Sequence, residues 1–445
     1  MAEQLHKKRH FSSFQIIIFG FAGIILVGAL LLMLPIASKS GEFTPFNETM
    51  FTSTSAVCVT GLVVRDTASY WSIFGQSIIL ILIQIGGLGV ITIAVSFALI
   101  SGRKISLMQR YTMQESISAH KIGGIVKLTG FVLKVTFLVE SVGAFVMMPV
   151  FVRDFGGKGI WMSFFHSVSA FCNAGFDVMG TENAQYVSLT SYVDNPLINI
   201  TVILLIVIGG IGFLTWDDIS VNKHHFRKYR MQSKVILVTT GILILLPAVF
   251  FFFVDFTGFT VGERILRALF QSVTPRTAGF NTADLSLMSG AGRSVMILLM
   301  LIGGSPGSTA GGMKITTVAV LFANAVAGFR RKEDAQLFGR RIETTAIKAA
   351  ATILMMYILL FFSGAIIISI AEGLPIGTCL FETASAVGTV GLTLGITPQL
   401  GIISQCVLMI LMFLGRVGGL TLIYAAISGI NKNLSKFPQE KITVG

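Results

Sequence analysis

Four short segments of this chain share one pattern, in which a glycine closes a stretch that is too short to cross a membrane as a helix. From glycine to glycine the segments lie between 104 and 114 residues apart. They read FTSTSAVCVTGL (Phe51–Leu62), FHSVSAFCNAGF (Phe165–Phe176), LFQSVTPRTAGF (Leu269–Phe280) and FETASAVGTVGL (Phe381–Leu392). Non-helical backbone at membrane depth is tolerated only where it is buried in protein or lines a water-filled cavity. Four such segments at matched spacing predict a ring of backbone.

The chemistry that such a ring offers is coordination of a cation by backbone carbonyl oxygens. Carbonyls from four strands can replace the hydration shell of a potassium ion, with little demand on side chains. Glycine would supply the dihedral angles that turn carbonyls inward without a clash at Cβ. The predicted ion-binding residues are Val59, Thr60, Gly61, Asn173, Ala174, Gly175, Thr277, Ala278, Gly279, Thr389, Val390 and Gly391. The third copy is the least regular, because Pro275 and Arg276 replace apolar residues there.

A second unusual stretch, from Gly303 to Lys314, holds five glycines and a proline in twelve residues. Glycine costs about 1 kcal/mol and proline about 3 kcal/mol in a helix interior, so the crossing must break here. We expect a helix up to Ile302, a loop that lines a wet cavity, and a second helix from about Ile315. A phosphate-binding G-x-x-x-x-G-K loop is excluded, because a methionine separates the last glycine from the lysine. A purely structural kink is the alternative.

Two charged residues fall at comparable depth in the predicted membrane region. Lys314 lies in the glycine-rich stretch, and Arg416 lies in an otherwise uncharged crossing. Charge inside a membrane is costly and usually faces the bundle interior or a cavity. We expect both groups near the pore, with snorkelling toward the cytoplasm as the alternative for Lys314. Lys134 and Glu140 are expected to contact other helices as structural groups, with a proton relay as the alternative for Glu140.

The elements that must position these residues are apolar helices. Of the 445 residues, 53% are hydrophobic and 12% are charged, whereas soluble domains carry roughly 25% charged residues. Eight apolar runs are candidate crossings, and most reach the roughly 20 residues that a spanning helix needs. They are Phe14–Ile36, Ser77–Ile100, Val126–Val150, Leu197–Trp216, Val235–Val254, Val295–Ile302, Ala346–Ala371 and Ile402–Ile427. Half-membrane helices are predicted over Thr44–Ser55, Ile160–Ser169, Val261–Val273 and Pro375–Ser385.

The predicted fold is an all-α polytopic membrane protein with four parallel helix–pore-helix–helix repeats, eight transmembrane helices and four re-entrant pore helices around one pore. We place repeat 1 in residues 1–105, repeat 2 in 106–225, repeat 3 with its loop 303–314 in 226–330, repeat 4 in 331–430, and a cytoplasmic tail in 431–445. The second crossings share glycine pairs, for which close helix packing is the simplest explanation. These pairs are Gly86-Gly87, Gly209-Gly210, Gly303-Gly304 and Gly418-Gly419.

The formal net charge of +12 is explained by membrane topology. Most lysines and arginines lie in alternate loops, and cytoplasmic loops carry the excess of basic residues. This distribution places both termini in the cytoplasm and argues against nucleic-acid binding. The basic inner loops Ser101–Ile125, Asp217–Ser233 and Gly328–Thr345 could dock an acidic cytosolic partner.

The four segments and the crossings that follow them resemble the Ktr/Trk/HKT superfamily of potassium transporters over nearly the whole chain. The resemblance implies one chain folded as a pseudo-fourfold pore in the lipid of the plasma membrane. It also implies a homodimer coupled to a cytosolic KtrA-like regulatory octameric ring that binds nucleotides. K⁺ would be transported and held at the filter carbonyls, and Na⁺ would be an activator or co-ion. In this family, glycine at all four filter positions accompanies K⁺ permeation, and serine at the first accompanies Na⁺ preference.

The same resemblance identifies the glycine-rich stretch as an intramembrane loop that gates the pore below the filter. The matching arginine of the family lies under the filter and repels cations, so Arg416 would be a conduction barrier. The gate residues that the resemblance implies are Gly303, Gly304, Gly307, Gly311, Gly312, Lys314 and Arg416.

Two other classes of function can be weighed against an ion pathway. Symporters with alternating access commonly contain inverted repeats, whereas all four units here are predicted to enter from the same side. A symporter is therefore the weaker alternative. A membrane enzyme has no support, because no nucleophile–base pair or metal-ligand cluster stands out. We expect no organic cofactor in this chain.

Overall fold

The structure is a computed structural model that describes residues 12–90, 92–93, 107–117, 124–418, 438 and 440. Within them the chain forms sixteen α-helices and one two-stranded hairpin, which confirms the all-α class. The predicted inner loop Ser101–Ile125 and the predicted tail 431–445 lie partly outside the described residues.

The helices are joined by turns and loops of varied length. In chain order they are α1 Ser13–Leu32, α2 Phe46–Val57, α3 Thr67–Tyr70, α4 Ile73–Leu88, α5 Leu107–Ile117, α6 Ile125–Phe155, α7 Lys158–Phe171, α8 Pro196–Gly210, α9 Phe213–Asn222, α10 Met231–Val254, α11 Val261–Val273, α12 Gly290–Leu301, α13 Ile315–Phe329, α14 Thr344–Glu372, α15 Ile376–Gly388 and α16 Ile402–Val417. The strands β1 Gln336–Leu337 and β2 Arg340–Arg341 pair antiparallel before α14. Three sets recur: the first helices α1, α6, α10 and α14, the pore helices α2, α7, α11 and α15, and the second helices α4, α8, α12 and α16.

The four first helices have the length and composition of membrane spans. They are 20, 31, 24 and 29 residues long, and roughly 20 residues suffice to cross the hydrocarbon core. Large apolar side chains such as Phe145, Leu245 and Ile370 are exposed on their outer faces (62%, 63% and 78%). A contiguous apolar surface of this kind marks contact with lipid.

The second helices are shorter than the predicted crossings. Helices α4, α12 and α16 have 16, 12 and 16 residues, and α8 is followed by α9 at an angle of 96°. The predicted unbroken crossing Leu197–Trp216 is therefore wrong, because Gly212 has φ +91° and turns the chain between the two helices. The described residues contain four helices of spanning length, or five spans with the bent pair. The predicted runs Ser77–Ile100 and Ile402–Ile427 continue outside the described residues.

Packing between the helices closes the four repeats into a ring. Each pore helix packs against the first helix of its own repeat. Each second helix also packs against the pore helix of the next repeat, and the fourth returns to the first: α4 with α7, α8 with α11, α12 with α15, and α16 with α2. Hydroxyl groups support this packing, since Ser53 donates to the Ile25 carbonyl and Ser167 to the Glu140 carbonyl, both at 2.6 Å. The pore helices thus surround one axis.

Glycines with φ near 90° mark equivalent positions after the second helices of repeats 1, 2 and 4. Gly89, Gly212 and Gly418 have φ of 87°, 91° and 88° and follow the ends of α4, α8 and α16. The residues three places before these glycines are Gly86, Gly209 and Gly415, which are therefore equivalent. The predicted match of Gly418-Gly419 with the other glycine pairs is therefore wrong by three residues. As a consequence, Arg416 occupies the position that Gly87 and Gly210 hold in the first two repeats.

Candidate ion pathway

The four glycine-ended segments meet in a closed ring. The space beside each filter glycine is occupied by the carbonyl oxygen of the residue that precedes the next segment's glycine, so a Cβ there would collide. The successive pairs are Gly61 with Ala174, Gly175 with Ala278, Gly279 with Val390, and Gly391 with Thr60. For Gly61 and Gly175 the Cβ would lie only 2.5 and 2.7 Å from that oxygen. Glycine is therefore required here because backbone from the neighbouring repeat fills the space.

Each segment also contains a second residue in the left-handed region, two places before its glycine. The four residues are Val59, Asn173, Thr277 and Thr389, with φ of 50°, 57°, 66° and 52°. A β-branched residue at positive φ is an outlier, and such strain costs roughly 1–3 kcal/mol and clusters at functional sites. The same strained conformation at four equivalent positions indicates that the path of the backbone, more than the side chains, is what the ring requires.

A hydroxyl at the end of each pore helix holds the segment that follows it. Ser55 and Ser385 accept from the backbone N–H groups of Gly61 and Gly391, both at 3.0 Å. Ser169 donates to the Phe176 carbonyl at 2.7 Å, and Thr274 donates to the Phe280 carbonyl. Sequence analysis missed these residues, although a serine six places before the glycine recurs in copies one, two and four. In the third copy the hydroxyl lies one place closer.

The second helices approach the pore helices through single glycines. Gly86, Gly209 and Gly415 lie directly against the carbonyl oxygens of Val57, Phe171 and Val387, the last residues or last turns of the pore helices of their own repeats. Small residues allow this close approach, which agrees with packing as their role. The C-terminal ends of α2, α7 and α15 thus lie beside the ring, and a helix C-terminus carries partial negative charge that favours a nearby cation.

The glycine-rich stretch leaves the helix where its composition predicts, since α12 ends at Leu301 and α13 begins at Ile315. The two sides of the loop are joined by backbone hydrogen bonds from Gly303 to Met313 at 2.8 Å and from Gly304 to Gly311 at 3.4 Å. Further backbone bonds join the loop to the second helices of repeats 2 and 4, from Ser305 to Gly210 and from Gly312 to Gly415, both at 3.1 Å. The loop is therefore a folded element anchored to its neighbours.

The loop lies immediately beside the fourth filter segment. The space next to Gly311 is filled by the side chain of Thr389, and Gly312 lies against the Gly388 carbonyl oxygen. Thr309 Oγ1 donates to the Phe171 carbonyl at 3.0 Å, which ties the loop to the end of the second pore helix. Gly307 accepts from the Phe213 N–H at 2.7 Å. These contacts place the loop across one end of the ring.

The charged side chains of Lys314 and Arg416 both donate hydrogen bonds to backbone carbonyl oxygens in this loop. Lys314 Nζ donates to Ala310 at 2.9 Å and to Gly311 at 3.3 Å, so its ammonium group turns back onto the loop and does not snorkel away. Arg416 donates to the carbonyls of Thr309, Gly86 and Gly87, the last at 3.2 Å. Neither forms a salt bridge with a described residue. The arginine therefore joins the third repeat's loop to the first repeat's second helix.

Cavities lie on both sides of the ring. One of about 120 Å³ is lined by the four filter glycines together with Asp66, Asp177 and Tyr186. Burial, together with the neighbouring Asp66 carboxylate, raises the pKa of Asp177 to about 7. The other cavity, of about 200 Å³, is lined by Lys314 and Arg416 with loop residues. The ring and the loop together separate the two cavities.

Polar side chains behind the ring link neighbouring helices, and two of them, Asn173 and Thr277, belong to the predicted ion-binding residues. Glu140 on α6 is 5% exposed and accepts from Gln84 Nε2 at 3.3 Å and from Cys172 Sγ at 3.8 Å. The Thr277 hydroxyl is 3.1 Å from the side-chain amide of Asn173, which links repeats 2 and 3. Arg276 is 4% exposed and donates to Thr240 Oγ1 at 3.3 Å. Glu140 thus contacts other helices as predicted, whereas Lys134 is exposed and forms no salt bridge with a described residue.

A helical membrane protein whose four re-entrant segments close a ring of backbone carbonyls has the architecture of a cation pathway. The family model described as "TrkH: Cation transport protein" matches residues 3–434. The chain belongs to this family of cation transport proteins, and it is not an enzyme.

Named relatives and a solved structure are similar over almost the whole chain. The chain is 40% identical to the potassium/sodium uptake protein NtpJ of Enterococcus hirae, over 98% of each protein. It is 35% identical to the Ktr system potassium uptake protein B of Bacillus subtilis, over 97% of this chain and 96% of the relative. The crystal structure of the potassium transporter TrkH from Vibrio parahaemolyticus superposes with a TM-score of 0.74 at 18% identity, over 95% of this chain and 86% of the other. That likeness shows the fold.

Proposed function

We propose that this chain is the ion-translocating membrane subunit of a Ktr-type potassium uptake system. The observation that carries the proposal is the closed ring in which each filter glycine lies against a carbonyl oxygen of the next repeat. Such a ring gathers carbonyl oxygens from four segments around one axis, and these can replace the hydration shell of K⁺. The names of relatives that are 40% and 35% identical refer to potassium uptake. Na⁺ acts as an activator or co-ion, in keeping with the potassium/sodium name of the first.

The glycine-rich loop is the gate in this proposal, and Lys314 and Arg416 are its charged groups. The loop is held by backbone hydrogen bonds, the Thr309 hydroxyl and the Arg416 side chain, so it can be displaced without unpacking a helix. The positively charged side chains of Lys314 and Arg416 repel K⁺ below the ring while the loop is in place. Opening would require the loop to release Arg416 or to move with it.

The four segments define four repeats with the boundaries given above, and both termini lie in the cytoplasm according to the positive-inside rule. Two of the relatives are named as protein B of a Ktr system, so a second component is expected. We propose that the chain forms a homodimer and that its basic cytoplasmic loops dock a nucleotide-binding KtrA-like ring.

Isotopic K⁺ uptake into vesicles that hold the chain alone, with and without Na⁺, tests the transport proposal. We expect saturable K⁺ uptake that other monovalent cations compete for poorly. Vesicles that take up K⁺ no faster than protein-free vesicles, under any Na⁺ condition and with the regulatory partner added, would contradict it.

A second measurement tests the gate. Shortening the loop within Gly304–Gly312 should raise K⁺ uptake in the absence of any partner, because the barrier is removed. The matched control is a deletion of similar length in the exposed segment before α2. Unchanged or lower flux through a correctly folded, shortened protein would argue against the gate.

A further inference from the structure

A large cavity lies outside the ion pathway, on the side of the loop away from the ring axis. It has a volume of about 630 Å³ and lies between α10, α13, α14 and the β1–β2 hairpin. Most of its lining is apolar, and the side chains include Met231, Val235, Val320, Leu337 and Ile353. Its volume falls within the roughly 300–1,000 Å³ of small-molecule sites. The cavity can therefore accept an apolar ligand.

The cavity borders the glycine-rich loop. Pro306 of the loop and Thr316 and Thr317, in the first turn of α13, contribute to its wall. Thr317 and Ile353 also line the cavity below the ring that contains Lys314 and Arg416. Shared side chains separate the two cavities. A ligand in the 630 Å³ cavity would therefore contact residues that support the loop.

Two charged side chains line the cavity, Arg341 and Glu343, and the segment that contains them carries a net positive charge. Arg341, on β2, lines it, and its neighbour Arg340 is exposed and lies outside the lining. The segment 330–343 carries five basic residues, Arg330, Arg331, Lys332, Arg340 and Arg341, against the three acids Glu333, Asp334 and Glu343. Arg341 pairs with Asp334 at 3.0 Å, but both side chains are exposed (75% and 44%). Such an exposed pair is weakly held, so Arg341 can exchange its partner for another anion.

The hairpin geometry holds Arg341 at this cavity. Phe338 and Gly339 have φ of 48° and 74°, which are the backbone angles of a tight two-residue turn. Leu337 and Ile342 pack with Ala323 and Ala327 of α13 in a small apolar cluster. The hairpin is therefore fixed against α13 and lies next to the first turn of the spanning helix α14. A basic group at the end of an apolar span is at the level of lipid headgroups.

We infer that this cavity binds an anionic phospholipid of the surrounding membrane, with an acyl chain among the apolar residues and the phosphate group on Arg341. An alkyl chain needs no hydrogen-bond partner, so it matches an apolar lining that would leave a polar peptide unsatisfied. The net positive charge of the segment 330–343 attracts anionic headgroups in preference to neutral ones. Both features favour a lipid over a segment of a soluble protein.

Binding of a lipid in the cavity would change the position of the glycine-rich loop. An acyl chain that fills the space beside Pro306 and Thr317 would hold α13 and α14 apart and change the support of the loop. This regulatory consequence rests on the proposed transport function, whereas binding of the lipid does not. The two parts can therefore fail separately.

Photocrosslinking tests the binding. The full chain is reconstituted in phosphatidylcholine vesicles that contain a phosphatidylglycerol with a diazirine on its acyl chain, and the labelled peptides are identified by mass spectrometry. We expect labelling of α13, α14 and the hairpin. Ala349→Phe, which fills the cavity, should reduce the labelling several-fold. Ala351→Phe places the same side chain at an exposed position of α14 outside the cavity lining and should leave it unchanged.

The charge requirement has its own matched pair of variants. Arg341→Gln should reduce labelling, whereas Arg340→Gln should leave it near the wild-type level. Equal labelling by a diazirine phosphatidylcholine, or labelling that Ala349→Phe does not change in a monodisperse protein, would overturn the inference. If Ala349→Phe instead abolished binding of a soluble partner and left the labelling intact, the cavity would be a protein-docking site and the inference would be wrong.

Flux measurements test the regulatory part. K⁺ uptake by the wild type should differ at least twofold between pure phosphatidylcholine vesicles and vesicles with phosphatidylglycerol, and Ala349→Phe should remove that difference. Specific labelling with equal uptake in both vesicles would overturn regulation and keep binding. Specific labelling without K⁺ uptake under any condition would count against the proposed transport function alone.

Discussion

Arg416 donates a hydrogen bond to the backbone carbonyl oxygen of Thr309, across the space below the filter ring. The same guanidinium binds the carbonyls of Gly86 and Gly87. Because Thr309 is the residue whose hydroxyl also binds the end of α7, one residue connects the loop to two other repeats. Arg416 therefore places a positive charge beside the loop and also anchors the loop to a neighbouring repeat.

Replacing Arg416 with glutamine should raise K⁺ uptake in vesicles that lack a regulatory partner. A hydrogen bond to a charged group contributes roughly 1.5–3 kcal/mol, so loss of one that is specific to the closed state should raise flux about tenfold. The same substitution at Lys348, an exposed residue of α14, is the control and should have no effect. A lower flux in a variant that elutes normally on size-exclusion chromatography would show that Arg416 assists conduction.

Gly61→Ser should raise the permeability of Na⁺ relative to K⁺. The new Cβ would lie 2.5 Å from the Ala174 oxygen, so that carbonyl must move and the coordination of the ion must change. Gly41→Ser is a matched control, because Gly41 also has positive φ (72°) but has no atom within 4 Å of the built Cβ. It incurs a similar left-handed penalty, roughly 1–2 kcal/mol, without touching the ring. Competitive uptake of the two ions is the measurement, and unchanged selectivity in Gly61→Ser would remove the filter assignment.

Glu140→Ala should destabilise the protein, because Gln84 and Cys172 lose their shared acceptor behind the ring. A buried polar group without its partner costs roughly 1–3 kcal/mol, and thermal unfolding in detergent would detect the change. Glu140→Gln keeps the volume and an acceptor oxygen, so it should unfold close to the wild type and conduct K⁺ normally. A proton relay predicts otherwise: glutamine cannot carry a proton, and any pH dependence of K⁺ uptake should then disappear in Glu140→Gln.

K⁺ uptake at low K⁺ concentration should rise several-fold as the external pH increases from about 6 to about 8. The pKa of Asp177 is raised to about 7 by burial and by the Asp66 carboxylate, so the side chain is neutral below this pH and negative above it. A negative charge in the cavity at the ring concentrates cations there. Asp177→Asn should abolish this pH dependence. Glu42→Gln, which removes an exposed acid before α2, should preserve it.

The positions of the four glycine-ended segments and of the helix break followed from the sequence because both depend on glycine. Matched spacing identified Gly61, Gly175, Gly279 and Gly391, and the composition after Ile302 located a break within one residue of its ends. Glycine and proline act on local backbone, so their effect is visible in a linear chain. The pore helices were likewise predicted to within a few residues.

Long-range register could not be predicted in the same way. The glycine pair at Gly418 looked equivalent to that at Gly86, yet Gly415 is the residue that lies against a pore helix. Composition also gave no sign that α8 and α9 form an angle of 96°, since hydropathy reports how apolar a segment is but not its direction. The contacts of Glu140 depend on which helices become neighbours, which the spacing of residues along the chain does not specify.

Because the four repeats belong to one polypeptide, the loop that we propose as the gate is present in a single copy. The loop, Lys314 and Arg416 each occur once around the ring, and the loop is fastened to different partners on its neighbours. A channel assembled from four identical subunits would carry every such group four times, so one arginine would become four and a single loop would meet three copies of itself on the axis. If the loop is the gate, as proposed, a substitution there changes the barrier in one quarter of the ring while the other three quarters keep their carbonyls in place.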